Sequence, residues 1–198
     1  MSSSFYFSCY FVVSLPKEKK EAFMPNDHTQ SHLLFHTFSR VQDISQATSP
    51  EIAGMISRLQ KITLFTLSQY QYTQVEIEKE IQILQEFIEL EREGVKDYGN
   101  YSIEVFGDIT GKKIAIFILL PLVENVFSQQ VNKNDTTDFV TISVSIVKDT
   151  LKFEIQNSKP HQTSTLTNAK RDTIYQIKKR LNILYPGSHQ LSVIIETE

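Results

Sequence analysis

Hydrophobic and polar residues follow two different periods along the chain. Up to about residue 94, apolar residues recur three and four positions apart, as one face of an α-helix requires. After that point, apolar and polar residues alternate over several short runs, which is typical of half-buried strands. The pattern therefore predicts an α+β protein: a helical hairpin followed by a mixed sheet that is covered by helices.

Three helices are predicted in the first half. The first runs from about residue 27 to 46, the second begins at "TSPE" (48–51) and ends near Tyr70, and the third runs from Thr73 to Gly94. The first two form an antiparallel hairpin, and the acidic residues of the third are expected to face water. The first helix has an apolar stripe made of Leu33, Leu34, Phe38 and Val41. Such a stripe implies a homodimer in which two hairpins form a four-helix bundle.

The second half is predicted to contain strands and two helices. In chain order they are a strand at 101–109, a buried helix at 114–131, two strands at 138–157 around the turn Lys148-Asp149, a short helix at 172–187 and a last strand at 190–196. A polar loop is expected at 158–170. The expected division of the chain is an N-terminal segment at 1–25, the hairpin at 26–72, and the third helix with the sheet domain at 73–198.

The first residues leave two interpretations open. "FYFSCYFVVSL" (5–15) is apolar but about half the length that a membrane-spanning helix needs, and a charged "PKEKKE" (16–21) follows it. The segment is either an aromatic strand or anchor that packs locally, or the inner end of a membrane helix. The basic flank favours the second interpretation, with attachment at the inner face of the membrane.

Composition and charge exclude some classes of function. The chain has 198 residues, of which 40% are hydrophobic, and a net charge of −3. Because Lys and Arg are dispersed among acidic residues, nucleic acid is not expected as a partner. The single cysteine, Cys9, cannot form an internal disulfide or a cysteine-based metal site, and this suits the reducing cytoplasm.

Three histidines, His28, His32 and His36, are spaced four apart on the first predicted helix. They span about 12 Å, so all three cannot bind one zinc ion. A neutral imidazole is nucleophilic and titrates near pH 7, so one of them could accept a phosphoryl group. Histidines four apart can still share one metal ion, so a metal site, phosphotransfer and an ordinary polar surface all stay open on the spacing alone.

Three short motifs in order carry a resemblance to a known family. They are "QSHLLFHTFS" (30–39), "LPLVEN" (120–125) and "RLNILYPG" (180–187). The sequence resembles sensor histidine kinases of the autolysin-regulator (LytS-like) type, whose motifs read N-P-H-F-L-F-N-T-L-N, Q-P-L-V-E-N and R-L-x-x-x-Y-P-G. The resemblance implies a dimerisation and phosphoacceptor hairpin followed by a histidine-kinase (GHKL) ATPase-like α/β sandwich.

The resemblance also implies roles for individual residues. His32 would be the phosphoacceptor, exchanging a phosphoryl group with an aspartate of a response regulator. Asn125 would bind Mg²⁺ and Glu124 would help to place a water molecule. Asn157 stands where the family has the aspartate that binds the adenine of ATP.

The departures from the family concern its glycine boxes. Alignment places Lys159 and His161 at the glycines of the first box, and Arg171 and Thr173 at those of the second, with Gln176 at its asparagine. Because a side chain at such a position blocks the approach of phosphate or costs about 1–3 kcal/mol of strain, we expect ATP and Mg²⁺ binding to be weak or lost.

The resulting hypothesis is a two-component signalling protein that transfers phosphoryl groups through His32. One alternative is a non-catalytic pseudokinase that acts as a dimeric scaffold. A third interpretation retains full autokinase activity.

Overall fold

The computed structural model describes residues 6–15, 28–69, 72–93, 100–127, 139–158 and 168–196, with the backbone alone for 6–7, 28–33, 168–171 and 195–196. Within these ranges the chain forms helices and strands in a mixed α+β fold. The helices are α1 (His28–Gln46), α2 (Pro50–Gln69), α3 (Ile77–Glu93), α4 (Leu119–Phe127) and α5 (Asn168–Leu184). The strands are β1 (Tyr6–Ser14), β2 (Gln74–Glu76), β3 (Asn100–Phe106), β4 (Lys113–Ala115), β5 (Phe139–Val147), β6 (Thr150–Ser158) and β7 (His189–Glu196).

Five strands form the main sheet, in the order β3-β5-β6-β1-β7. β3 pairs with β5 in parallel, and the other neighbours are antiparallel. The predicted hairpin is confirmed: β5 and β6 alternate between buried and less buried positions, and Lys148 in their turn has a φ of 57°. β2 and β4 form a separate two-stranded sheet.

β1 lies inside the sheet, between β6 and β7. Every residue from Tyr6 to Ser14 has a partner on β6, and Cys9, Phe11 and Val13 point into the core with 1% exposure or less. Of the two interpretations of this segment, the strand is therefore the one observed, and the inner end of a membrane helix is wrong for these residues. Within the segment expected at 1–25, Tyr6–Ser14 therefore pair with strands of the region expected at 73–198. Among the described residues, no helix combines the length and apolarity needed to cross a membrane.

Two other predicted boundaries are wrong. The third helix begins at Ile77 instead of Thr73, because Gln74–Glu76 pair with β4. The buried helix predicted from residue 114 begins only at Leu119, since β4 and a bend at Phe117 precede it. Its predicted end, at 128–131, lies outside the described residues, as does most of the loop predicted at 158–170.

The hairpin packs against α3 of the same chain. Ser49 Oγ accepts a hydrogen bond from Ile52 N at 3.4 Å, so the start signal of α2 works as predicted. Arg58 of α2 contacts Glu86 and Glu93 of α3 at 2.7 and 3.2 Å. Burial alone would raise the pKa of Glu86, but hydrogen bonds from Lys61 and Arg58 lower it. The ion pairs therefore favour a fixed contact between α2 and α3.

Replacing Phe11 by Ala tests the position of β1. Since this ring is fully buried in the centre of the sheet, we expect Phe11→Ala to lower the free energy of unfolding by about 3–5 kcal/mol in urea denaturation. Val12→Ala, on the less buried face of the same strand, is the control and should cost clearly less. Equal losses in the two variants would contradict the placement of β1.

Candidate functional site

The motif "LPLVEN" lies on α4. Leu119 is the first helical residue, so Pro121 falls in the first turn, where a missing N–H breaks no helical hydrogen bond. Asn125 is buried, whereas Glu124 is exposed. Partial removal of its carboxyl group from water raises the pKa of Glu124, and repulsion from Glu91 adds to this. The two residues of the motif thus sit in different environments, one inside the protein and one at its surface.

A cleft of about 470 Å³ separates α4 from α5. We call it the α4–α5 cleft, and its lining residues are Phe117, Pro121, Thr173, Gln176, Ile177, Lys179, Arg180 and Ile183. Thr173 and Gln176 are the positions expected at the second glycine box. The cleft therefore brings Pro121 of "LPLVEN" together with Arg180 and Ile183 of "RLNILYPG", two motifs that lie more than 50 residues apart in the sequence.

Arg180 gives the α4–α5 cleft a positive wall. Its guanidinium lies 5.7 Å from the centroid of the Phe117 ring, within the range of a cation–π contact. Its Nε is buried and makes no hydrogen bond within the described structure. Burial lowers the pKa of Arg180, while attraction to Glu80 opposes this. A buried N–H donor on a cleft wall, with Lys179 one residue away, can receive an anionic group.

Asn157 has one unsatisfied polar atom. The residue is fully buried on β6, and its Nδ2 donates a hydrogen bond to Ser158 O at 2.9 Å. Its Oδ1 has no partner within the described structure. An unpaired buried acceptor is costly and is suited to an N–H donor of a ligand, such as an exocyclic amine. Neither Asn157 nor Asn125 is among the described residues that line the α4–α5 cleft.

The histidines predicted as candidates lie on α1. His32 and His36 are one turn apart, and the side chains of His28 and His32 lie outside the description. His36 is exposed, and its ring is 6.0 Å from that of Phe35 in an edge-on arrangement. Among the side chains that the structure describes, no cluster of three or more His, Cys, Asp or Glu could hold a metal ion.

Glu80 was missed as a functional candidate. The acidic residues of α3 were expected to face water, but Glu80 is only 2% exposed. A signal was present in the sequence: Glu80 is three residues after Ile77 and four before Leu84, so it lies on the apolar stripe of this helix. Burial of this carboxyl group therefore follows from the same spacing that predicted the helix.

Comparison with protein families finds a match to the helical part of the chain. Residues 26–98 match the family model described as Histidine kinase. No curated protein matches the sequence. The matched segment contains α1, α2 and α3, and therefore His32, but not α4 or α5. The chain is thus similar to that family over its helical part.

Replacing Asn157 by Leu tests whether this residue is kept for stability. Because Leu has the same branched shape as Asn and removes the unsatisfied Oδ1, we expect the free energy of unfolding to stay equal or to rise by about 1 kcal/mol in urea denaturation. Asn157→Ala is the matched control and should be less stable, since it leaves a cavity. A Leu variant as unstable as the Ala variant would show that the amide group holds the fold.

Proposed function

We propose that this protein is a two-component signalling protein related to sensor histidine kinases, in which His32 transfers phosphoryl groups and ATP binding is weak or absent. The observation that carries the proposal is the histidine-kinase match over residues 26–98, which includes His32 on the hairpin and α3 beside it. The single cysteine is buried and free, which supports a cytoplasmic location.

The transfer step follows from imidazole chemistry. In the direction from regulator to His32, one ring nitrogen of the neutral imidazole attacks the phosphorus of an aspartyl phosphate. The acyl phosphate bond breaks, the aspartate leaves as a carboxylate, and the proton of the other ring nitrogen is released to solvent. The reverse step returns the phosphoryl group to the aspartate. His32 therefore acts as a nucleophile in one direction and as a leaving group in the other.

Exposed apolar residues on the hairpin support a homodimer as part of this proposal. They lie on α1 and α2 and are Leu34, Phe35, Val41, Ile44, Ile52 and Leu59. Apolar side chains at such spacing are stabilised when a second helical pair covers them. A second copy of the hairpin would complete a four-helix bundle, with the response regulator as the further partner.

The nucleotide part of the proposal rests on the roles that the family resemblance assigns to Asn125, Glu124 and Asn157, none of which is among the described residues that line the α4–α5 cleft. If ATP and Mg²⁺ bind, Asn125 would hold the metal ion, Glu124 would place a water molecule, and Asn157 Oδ1 would accept a hydrogen bond from the adenine amine. ATP would supply the phosphoryl group. Thr173 and Gln176, however, occupy the cleft wall with side chains, and no glycine lies between residues 112 and 186. This lining supports weak binding.

A dimeric pseudokinase scaffold is the second candidate. It is favoured by the same side chains at the glycine positions and by the ion pairs that tie α2 to α3. It has the same fold and predicts no phosphoryl transfer from any donor. An active autokinase, the third candidate, requires tight nucleotide binding in spite of these side chains.

Nucleotide titration tests the cofactor part. We expect a non-hydrolysable ATP analogue with Mg²⁺ to bind with a Kd of about 1 mM or weaker in isothermal titration calorimetry, because side chains replace the glycines. The matched variant Arg171→Gly with Thr173→Gly restores both glycines of the second box and should bind more tightly. Micromolar affinity of the unmodified protein would contradict weak binding and favour the autokinase.

Phosphoryl transfer to His32 is tested by labelling. We expect a radiolabelled phospho-regulator to transfer label to the wild type, with the acid lability of a phosphohistidine. Because His36 lies one turn away on the same helix, His36→Ala is the matched control and should keep the label, while His32→Ala should lose it. Equal labelling of wild type and His32→Ala would remove His32 from the mechanism, and no labelling of the wild type by any donor would favour the scaffold.

A further inference from the structure

Glu80 is buried where α3 meets the start of α4. Its carboxylate accepts hydrogen bonds from the backbone N–H groups of Phe117 and Leu120. N–H groups at the N-terminus of a helix have no partner within that helix, and a negative charge there interacts favourably with the helix dipole. Glu80 therefore caps α4 from a neighbouring helix, across a separation of about 40 residues in the sequence.

The residue that receives this cap has an unusual backbone. Phe117 has a φ of 57°, in the left-handed region that bulky residues rarely adopt. A conformation of this kind persists when the surrounding contacts hold it. The hydrogen bond from Phe117 N to Glu80 is one such contact, and the cation–π contact with Arg180 is another. Two charged side chains from two helices thus act on the same bend.

α5 completes this arrangement. Arg180 attracts the carboxylate of Glu80 from the α5 side. Tyr185, at the end of α5, accepts a hydrogen bond from Ala115 N at 2.7 Å, and Gln74 of β2 hydrogen-bonds the same hydroxyl. Polar groups from α3 and α5 therefore hold the segment between β4 and α4 at both of its ends.

We propose that Glu80 is a positioning residue, which together with Arg180 fixes the first turn of α4 and the wall of the α4–α5 cleft. Phe117, Pro121 and Arg180 all line this cleft, so its shape depends on the segment that Glu80 holds. The role goes beyond the proposed function, because it applies whether or not nucleotide binds and whether or not His32 is phosphorylated.

Because Glu80 is buried, its ionisation makes the stability of the folded protein depend on pH. Burial raises the pKa of Glu80 to about 7, although the two backbone hydrogen bonds and Arg180 act in the opposite direction. The titratable groups that act on it from α5 are Arg180 and Tyr185, and α4 contributes backbone N–H groups. Because the ordinary pKa is 4.5, the folded protein keeps a proton between pH 4.5 and 7 that the unfolded chain has lost. The contribution of Glu80 to the free energy of unfolding therefore falls as pH rises from 4.5 to 7.

The first test is amide hydrogen exchange of the folded chain at pH 7.5. In Glu80→Ala we expect the amides of α4 to exchange at least about tenfold faster than in the wild type, while those of β5 and β6 change little. Glu80→Gln keeps an acceptor oxygen and should restore most of the protection of α4. Glu89→Gln is the matched control on the exposed side of α3, and it should leave α4 unchanged.

The second test is the melting temperature between pH 5 and 7.5. As pH rises, the melting temperatures of the wild type and of Glu89→Gln should both include the decrease that is caused by ionisation of Glu80. The melting temperature of Glu80→Gln should lack this decrease. A Glu80→Gln variant with the pH slope of the wild type would overturn the proposal, as would α4 exchange in Glu80→Ala no faster than in Glu89→Gln. If Glu80→Ala does not fold, the pH slope of Glu80→Gln decides. Neither readout uses nucleotide or phosphoryl transfer, so failure here is separate from failure of the proposed function.

Discussion

The backbone pairing of β1 with both β6 and β7 is the constraint on which the sheet depends. β6 and β7 are not neighbours, so the strand between them supplies the hydrogen-bond partners that each would otherwise lack on that side. Phe11 and Val13 of β1 fill the core beneath, next to the side chains of β6. The N-terminal strand is therefore part of the domain that carries the α4–α5 cleft, and the next described element after it is α1, the helix of His32.

α3 is the element that contacts both parts of the chain. On one side its Glu86 and Glu93 pair with Arg58 and Lys61 of α2. On the other side its Glu80 caps α4. Surface ion pairs contribute little individually, whereas a buried carboxylate that satisfies two backbone N–H groups is costly to lose. α3 thus contacts α2 through exposed and half-buried ion pairs and the first turn of α4 through a buried carboxylate.

The polar groups of the candidate site fit a nucleotide only in part. The unsatisfied Asn157 Oδ1 and the unpaired Arg180 Nε are a buried acceptor and a buried donor of the kind a ligand satisfies. Of the positions that would need glycine for close approach of phosphate, the one on the cleft wall carries Thr173 instead, and Gln176 beside it stands at the asparagine of the same box. The chain therefore has buried polar atoms that a ligand could contact but lacks the glycines that let phosphate groups approach the backbone. The proposed role of His32 does not depend on that approach.

The sequence by itself determined the helices α1 and α2, the start of α2 at Ser49 and the β5–β6 hairpin, because their signals are periodicity, capping and a tight turn within a few residues. The resemblance to histidine-kinase motifs implied that Thr173 and Gln176 share a site with "LPLVEN", and in the structure both line a cleft with Pro121 of that motif. Only the tertiary structure decided the place of β1, whose partners on β6 and β7 lie more than 130 residues away, and the pairing of β2 with β4 that shortened α3. The burial of Glu80 needed both: its spacing placed it on the apolar stripe, but the backbone donors that make burial tolerable come from a bend at Phe117. Local patterns carry no information on such distant partners, which is why the place of β1, the β2–β4 pairing and the backbone donors to Glu80 could not be predicted.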